Sequence, residues 1–599
     1  MSQRINHLED VVKKLIAERQ QASSASSSSV VYTTESPNLD GLKSSGRTVM
    51  DGVRSVHLGA DDWHVVLEEI KELKNTWKQE QDGQGDCGVR SGFSHLVDGS
   101  SLLFNQVKPI ERMEILSALP PKPEVDQLLA RFFDCQAFPI SVPPILHQST
   151  FLHEYNGHWR DPSRTDFIWL GLLFSILGIT MLAFHQYGEP LEYEGLSESL
   201  FHLYRMRTAQ CLLSGDIAKC LPYTVETLRL NATAELNRKD DNRRGLWIMT
   251  GVIVRAAINM GYHRDPSQCP GISVLQAEYR RRIWLSVISM DDAASFLGGF
   301  PRTTSAIFSD TKEPRNLHDW ELSETTTVLP PSRPLTEPTP VTYLIVKGRL
   351  FRALGRVADF HSAPDPSSYK TVLEIDRAVQ DVYESFPPHM KVGSRGSISG
   401  TLQTNLSNLS LLGMYHKGIC TLHRRFLAKE RDNGRFQFSR DRCISAALAL
   451  LALQEGLEPF LYKVSQIRQM LTLAAMVLFL ELELRRKYPG TGESPDSRIL
   501  LHALEQSCAR WAEATDAYDE AWRLHQFLAS MLSGFHVGTG AGTEASQMVS
   551  HEILPGFSPR FDVANGCFSL EEDLSNTDFD WSAWDTFFAA GDYESDPVY

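Results

Sequence analysis

The chain has 599 residues, more than one ordinary core holds, and its 42% hydrophobic and 22% charged residues exclude a wholly unfolded polymer. Its formal net charge of −15 repels DNA and anionic membranes, so nucleic-acid contact needs a local basic patch or another chain. The cysteines, spread from Cys87 to Cys567, form no CxxC pair, which argues against a disulfide framework or a sequence-legible zinc site and for a reducing compartment.

Residues 2–19 place Ile5, Leu8, Val12 and Leu15 at alternating spacings of three and four, the pattern of a coiled-coil seam. Residues 1–20 are therefore expected to form a short coiled-coil-like helix, with residues 4–19 the candidate contact of a homodimer. The run "QQASSASSSSV" opens a Ser-rich linker over 21–60, expected to be disordered. Residues 61–123 read as an amphipathic helix, carrying Trp63, Val66, Leu67, Ile70, Leu73 and Trp77, followed by a loop linker.

From 124 to 540 the pattern is helix after helix. Beta-branched alternation is scarce, so no sheet is expected and the fold class is all-α. The uncharged run Phe167 to Phe184 is long enough to cross a bilayer. It stands alone without a Lys/Arg-rich flank, so it reads as a helix buried on all sides, with no membrane partner. The Pro/Thr-rich stretch 323–340 is a break in which helix is disfavoured. Helical periodicity resumes at "VTYLIVKGRLFRALGRVADF" and continues near 371–386, 403–428, 441–457, 464–487 and 498–532.

Residues 541–599 form an acidic, aromatic tail expected to be disordered. From 561 onward it has no Lys or Arg, and Glu571, Glu572, Asp573, Asp578, Asp580 and Asp585 alternate with bulky aromatics. Repulsion keeps such a segment open, and a transient helix would gather Trp581, Trp584, Phe587 and Phe588 on one face, ready for an apolar groove on a coactivator. This composition predicts an activation segment.

The densest charged stretch is "GYHRDP", then "EYRRRIW", then "GGFPRT". A kinase catalytic loop would need an Asn five residues after Asp265, where Pro270 stands instead. "MDDAAS" offers Asp291 and Asp292 as the start of an Asp-rich magnesium motif, but its fifth position is Ser295. That incomplete motif supports the alternative function, a magnesium-dependent helical enzyme acting on an isoprenoid-type substrate. Arg280, Arg281 and Arg282 are successive on a predicted helix and point in different directions, so they cannot share one phosphate-binding face. Arg281 or Arg282 is expected to pair with an acid such as Asp265 or Asp291. Gly261, His263, Arg264, Asp265, Pro266, Glu278, Arg281, Arg282, Trp284 and Asp291 thus read as a structural signature, with no catalytic, metal-binding or DNA-binding residue assigned.

Together "GYHRDPS", "EYRRRIW", the Asp that follows and "GGFPRT" leading to "EPRNLHDWEL" resemble the middle homology region of fungal-specific zinc-cluster transcription factors, over roughly 130–430. "FPISVPPILHQSTFLHEY" and "TYLIVKGRLFRALGRV" are similar to flanking segments of that family. "GGFPRT" departs from the family's Gly-Arg-Pro turn by placing Gly299 and Phe300 before Pro301. The resemblance implies a large all-α regulatory domain in a nuclear (alternatively cytoplasmic) transcriptional regulator, and pathway-specific control of a secondary-metabolite gene cluster. The family usually carries an N-terminal six-cysteine zinc cluster, whereas this chain has no cysteine before Cys87. The expectation is no cofactor in this chain, zinc only if such a cluster exists, and DNA contact only through a missing module or a partner chain.

Overall fold

The structure is a computed structural model. It describes residues 47–51, 54–58, 65–67, 69–71 and 107–536, the last without 135–136, 239–242, 270, 364–367, 392–401, 433, 458–460, 463, 489–493 and 515–518. All of them fall in one compact unit, residues 44–599. The coiled-coil seam of residues 1–20 and the tail 541–599 lie outside the described residues.

From 107 to 536 the described regular structure is helical: α1 (Arg112–Ser117), α2 (Lys122–Phe133), α3 (Gln148–Arg160), α4 (Phe167–Tyr187), α5 (Ser197–Gly215), α6 (Thr224–Leu236), α7 (Arg243–Asn259) and α8 (Val274–Gly298) come first. After a long irregular connection come α9 (Pro340–Ser362), α10 (Tyr369–Glu384), α11 (Leu402–His423), α12 (Leu427–Asp432), α13 (Gln437–Leu453), α14 (Ser465–Lys487), α15 (Ser497–Glu513) and α16 (Asp519–His536). Two details correct the sequence expectation. The segment 498–532 is two helices, α15 and α16, which pack against each other. A β-hairpin, β1 (Arg47–Asp51) with β2 (Arg54–Leu58), pairs Asp51 with Arg54 and Arg47 with Leu58 inside the stretch expected to be a disordered linker. The sequence signal was Gly52, the first of the two positions between the paired Asp51 and Arg54, where a two-residue hairpin loop favours glycine.

Helix α4 anchors the first half. Every residue from Ile168 to Ala183 is buried, and 89% of its apolar window lies inside the protein. Helices α2, α5 and α6 cover it. A helix apolar all round demands such a jacket. Its hydroxyls are satisfied within the helix: Ser175 donates to the Leu172 carbonyl and Thr180 to that of Ile176. Gly171 permits the tight approach of α5 and α6, since a Cβ there would lie 3.1 Å from Cys211 Cβ and 3.4 Å from Thr227 Cγ2.

The second half stacks α9, α10, α11, α13 and α14. Helix α10 buries Val372, Ile375, Asp376 and Val379, an amphipathic stripe of threes and fours. The Pro/Thr-rich break stays non-helical up to Pro340 and is ordered by the fully buried Asn316. Its amide donates to the Pro334 and Glu337 carbonyls, and its oxygen accepts from the hydroxyls of Thr339 and Thr342 at the start of α9. Upstream, residues 65–71 are helical where described. They bury Val66, Leu67 and Ile70, and Glu69 accepts from Arg424 at 2.6 Å.

Candidate functional site: a charged helix junction and an internal cavity

The charged stretch is the joint between α7 and α8. Helix α7 ends in a Schellman motif: Gly261, at φ +74°, donates to the Ile258 carbonyl, and Tyr262 donates to that of Ala257. The chain then turns at Asp265-Pro266 into a short 3₁₀ turn and re-enters helix at Ser273, which forms a capping box with Gln276.

The successive arginines of α8 go three ways. Arg280 donates to the Met260 carbonyl at 2.6 Å and lies 4.2 Å over the Tyr262 ring. Arg281 grips Asp265 with two bonds of 2.9 and 3.1 Å. Arg282, fully buried, reaches Asp319 at 2.9 Å and the Tyr279 hydroxyl at 3.1 Å. The Asp265 carboxylate also accepts from Ser267, backbone and hydroxyl, and from the Lys312 backbone. The Arg281 guanidinium and these donors hold its carboxyl well below the usual range.

The remaining signature residues lie in this joint and along α8. Glu278, fully buried, accepts from the Arg315 backbone at 2.6 Å, and burial pushes its carboxyl up. His263 receives Ser309 and the Asp310 backbone on its own carbonyl, while its ring Nδ1 is buried without a hydrogen bond. Arg264 is exposed near Asp310, and Pro266 and Trp284 are buried. Asp291 accepts from the Thr304 backbone at 2.7 Å. Asp292 meets Arg302 at 3.0 Å, and burial pushes its carboxyl up to about 7 against that attraction. Arg302, which follows Pro301, also binds Asp359 on α9. The departure in "GGFPRT" therefore still delivers a guanidinium, which ties the C-terminal half of α8 to α9.

An internal cavity of about 120 Å³ opens between α6, α8, α9, α11 and α14. Among the described residues that line it most are apolar, Arg229 and Lys347 are cationic, and none is Asp or Glu. Asp291 and Asp292 do not line it. Among the described residues no cluster of three or more His, Cys, Asp or Glu could hold a metal ion. The described cysteines are free thiols, four of them buried. Sequence reasoning missed the cavity. Its one signal was Lys347 on the apolar stripe of α9, four residues from Tyr343 and four from Phe351.

Comparison with known proteins fits this architecture. The profile of the fungal specific transcription factor domain matches residues 129–384, from within α2 to the last residue of α10. The chain is 32% identical over 498 residues to the Zn(2)-C6 fungal-type transcription factor pigI of Monascus ruber, covering 80% of this chain and 61% of that protein, so it spans about three fifths of that relative's length. It is 28% identical over 599 residues to mpsB of Macrophomina phaseolina, also a Zn(2)-C6 fungal-type transcription factor, covering 91% of this chain and 80% of that one. It is 32% identical over 497 residues to the equisetin cluster transcription factor eqxF of Fusarium heterosporum, covering 80% of this chain and 71% of the relative. With an all-helical body, the junction in its middle and relatives that share most of their length, the chain belongs to the family of fungal-specific transcription factors.

Proposed function

We propose that this protein is a pathway-specific regulator of a secondary-metabolite gene cluster, that its helical body is a ligand- or partner-sensing platform, and that its acidic tail recruits coactivator. The observation that carries this reading is the similarity to cluster transcription factors such as eqxF across four fifths of the chain. It acts in the nucleus, pairs as a homodimer through residues 4–19, and reaches DNA through a zinc-cluster module outside the helical body or through a partner chain. Zinc belongs to that module. It is not an enzyme and binds no membrane: Asp292 is committed to Arg302 and one oxygen of Asp291 to the Thr304 backbone, and the long apolar helix α4 is buried within the protein.

The test is deletion of the gene with transcript profiling, and a reporter assay of residues 561–599 fused to an unrelated DNA-binding module. Expected are a coordinated fall in one contiguous set of biosynthetic genes, and reporter output that disappears when Trp581, Trp584, Phe587 and Phe588 become Ala. Neutralising Glu571, Glu572 and Asp573 reduces output without abolishing it, because charge steers the encounter while the aromatics bind. Unchanged transcripts overturn the regulatory reading; an aromatic-free tail that still works overturns the role of the tail.

A further inference from the structure

The buried cations of this protein are mostly neutralised. Arg281 has Asp265, Arg282 has Asp319, Arg205 has Glu235, and Arg440 has Glu481. Two cations that line the cavity, the buried Arg229 and the half-buried Lys347, are not. Among the described residues Arg229 is held by neutral acceptors alone, the Ser286 carbonyl at 3.1 Å and the Thr233 hydroxyl at 2.7 Å. The Lys347 ammonium lies 5.7 Å from the centres of the Tyr343 and Phe351 rings and has no hydrogen-bond or carboxylate partner among the described residues. Burial and the neighbouring charge of Arg229 pull Lys347 down to about 7, and burial pulls Arg229 down to about 9.

Two like charges facing an apolar cavity are costly, and the cost is relieved by losing a proton or by gaining an anion. The rest of the wall suits an anion with an apolar body. Met290, Leu297 and Met470 supply hydrocarbon, and the Tyr343 hydroxyl stands beside serines. The volume corresponds to about four water molecules at roughly 30 Å³ each, about the bulk of a compact acid of six carbons.

We propose that the cavity binds a small organic acid with an apolar body, its carboxylate held between Lys347 and Arg229. The proposal rests on the reading of the helical body as a sensing platform and names what it senses. The cavity wall is shared between helices inside the family match and α11 and α14 beyond it, so the acid ties the two halves together. A ligand that binds only the folded state also stabilises it by mass action.

The test is isothermal titration of the full chain at pH 7 with hexanoate and with hexan-1-ol, which share a tail and differ in charge. Hexanoate is expected to bind at least tenfold more tightly and to take up protons, seen as a binding heat that varies with the ionisation enthalpy of the buffer. Lys347→Met should erase both the preference and the proton uptake while keeping hexanol binding, and Lys347→Arg should retain the preference without the uptake. Equal affinities in the wild type, no binding of hexanoate, or a preference that survives Lys347→Met would overturn the assignment. The wild-type comparison decides even if a variant does not fold. A failure here leaves the transcript and reporter assays untouched, so the two readings fall separately.

Discussion

Replacing Asp265 with Ala should cost this protein more stability than any other single change in the α7–α8 joint. The carboxylate accepts two bonds from Arg281, two from Ser267 and one from the Lys312 backbone, so it ties α8 to the turn before it and to the strap after it. Its loss strands the Arg281 side chain, 11% exposed, with Glu278 at 3.5 Å as its remaining acid. Breaking one partner of a buried pair costs about 3–5 kcal/mol. With an unfolding entropy of about 2.1 cal/mol/K per residue over roughly 430 residues, that lowers the Tm by about 3–6 °C. Asp265→Asn keeps an acceptor for Ser267 and should cost less, about 1–3 kcal/mol. The double variant Asp265→Ala/Arg281→Ala should be less destabilised than the sum of the singles, because the second change removes the stranded charge. The pH dependence has a definite sign. The folded carboxyl sits below its unfolded value, so its contribution is complete above about pH 4 and is lost as the pH falls further. Wild type and Asp265→Ala should therefore draw closer in acid. Differential scanning calorimetry from about pH 2 to 8 checks this. A Tm for Asp265→Ala within about 1 °C of wild type at pH 7, or a gap that stays constant into acid, would refute the reasoning.

Three further outcomes follow from other parts of the structure. Lys347 sits near 7 when folded and near 10.4 when unfolded, so the unfolded chain binds more protons between those values and stability should rise with pH from about 7 to 10; chemical denaturation of Lys347→Met should show that rise removed and stability at pH 7 equal to or above wild type. Gly171→Val puts branched bulk where a lone Cβ already meets Cys211 and Thr227, and should lower stability by about 1–3 kcal/mol in the same assay. Glu69→Ala leaves Arg424, otherwise buried, without its 2.6 Å acceptor, and limited proteolysis should then cut around residues 65–71 faster than in wild type, with the helical body left intact.

Much of this protein is local and was legible as such. The all-round apolarity of Phe167–Tyr187 demands burial whatever its neighbours are. The α7 stop at Gly261, the turn at Asp265-Pro266 and the helices near 371–386 and 464–487 follow from caps, turn residues and periodicity, which act within a few residues. The divergence of Arg280, Arg281 and Arg282 follows from 100° steps around a helix. What the sequence could not determine is what each side chain meets across the chain. Asp319 reaches Arg282 from 37 residues away and Asp359 reaches Arg302 from 57, and nothing in either local pattern marks them as partners. Lys347 and Arg229 are more than a hundred positions apart, and although Lys347 falls on the apolar stripe of α9, neither helix's own pattern shows that the two share a space. They share a cavity because α6, α8, α9, α11 and α14 pack around a space that side chains do not fill, and the position and lining of such a space are set by how helices cross, which only the tertiary structure decides.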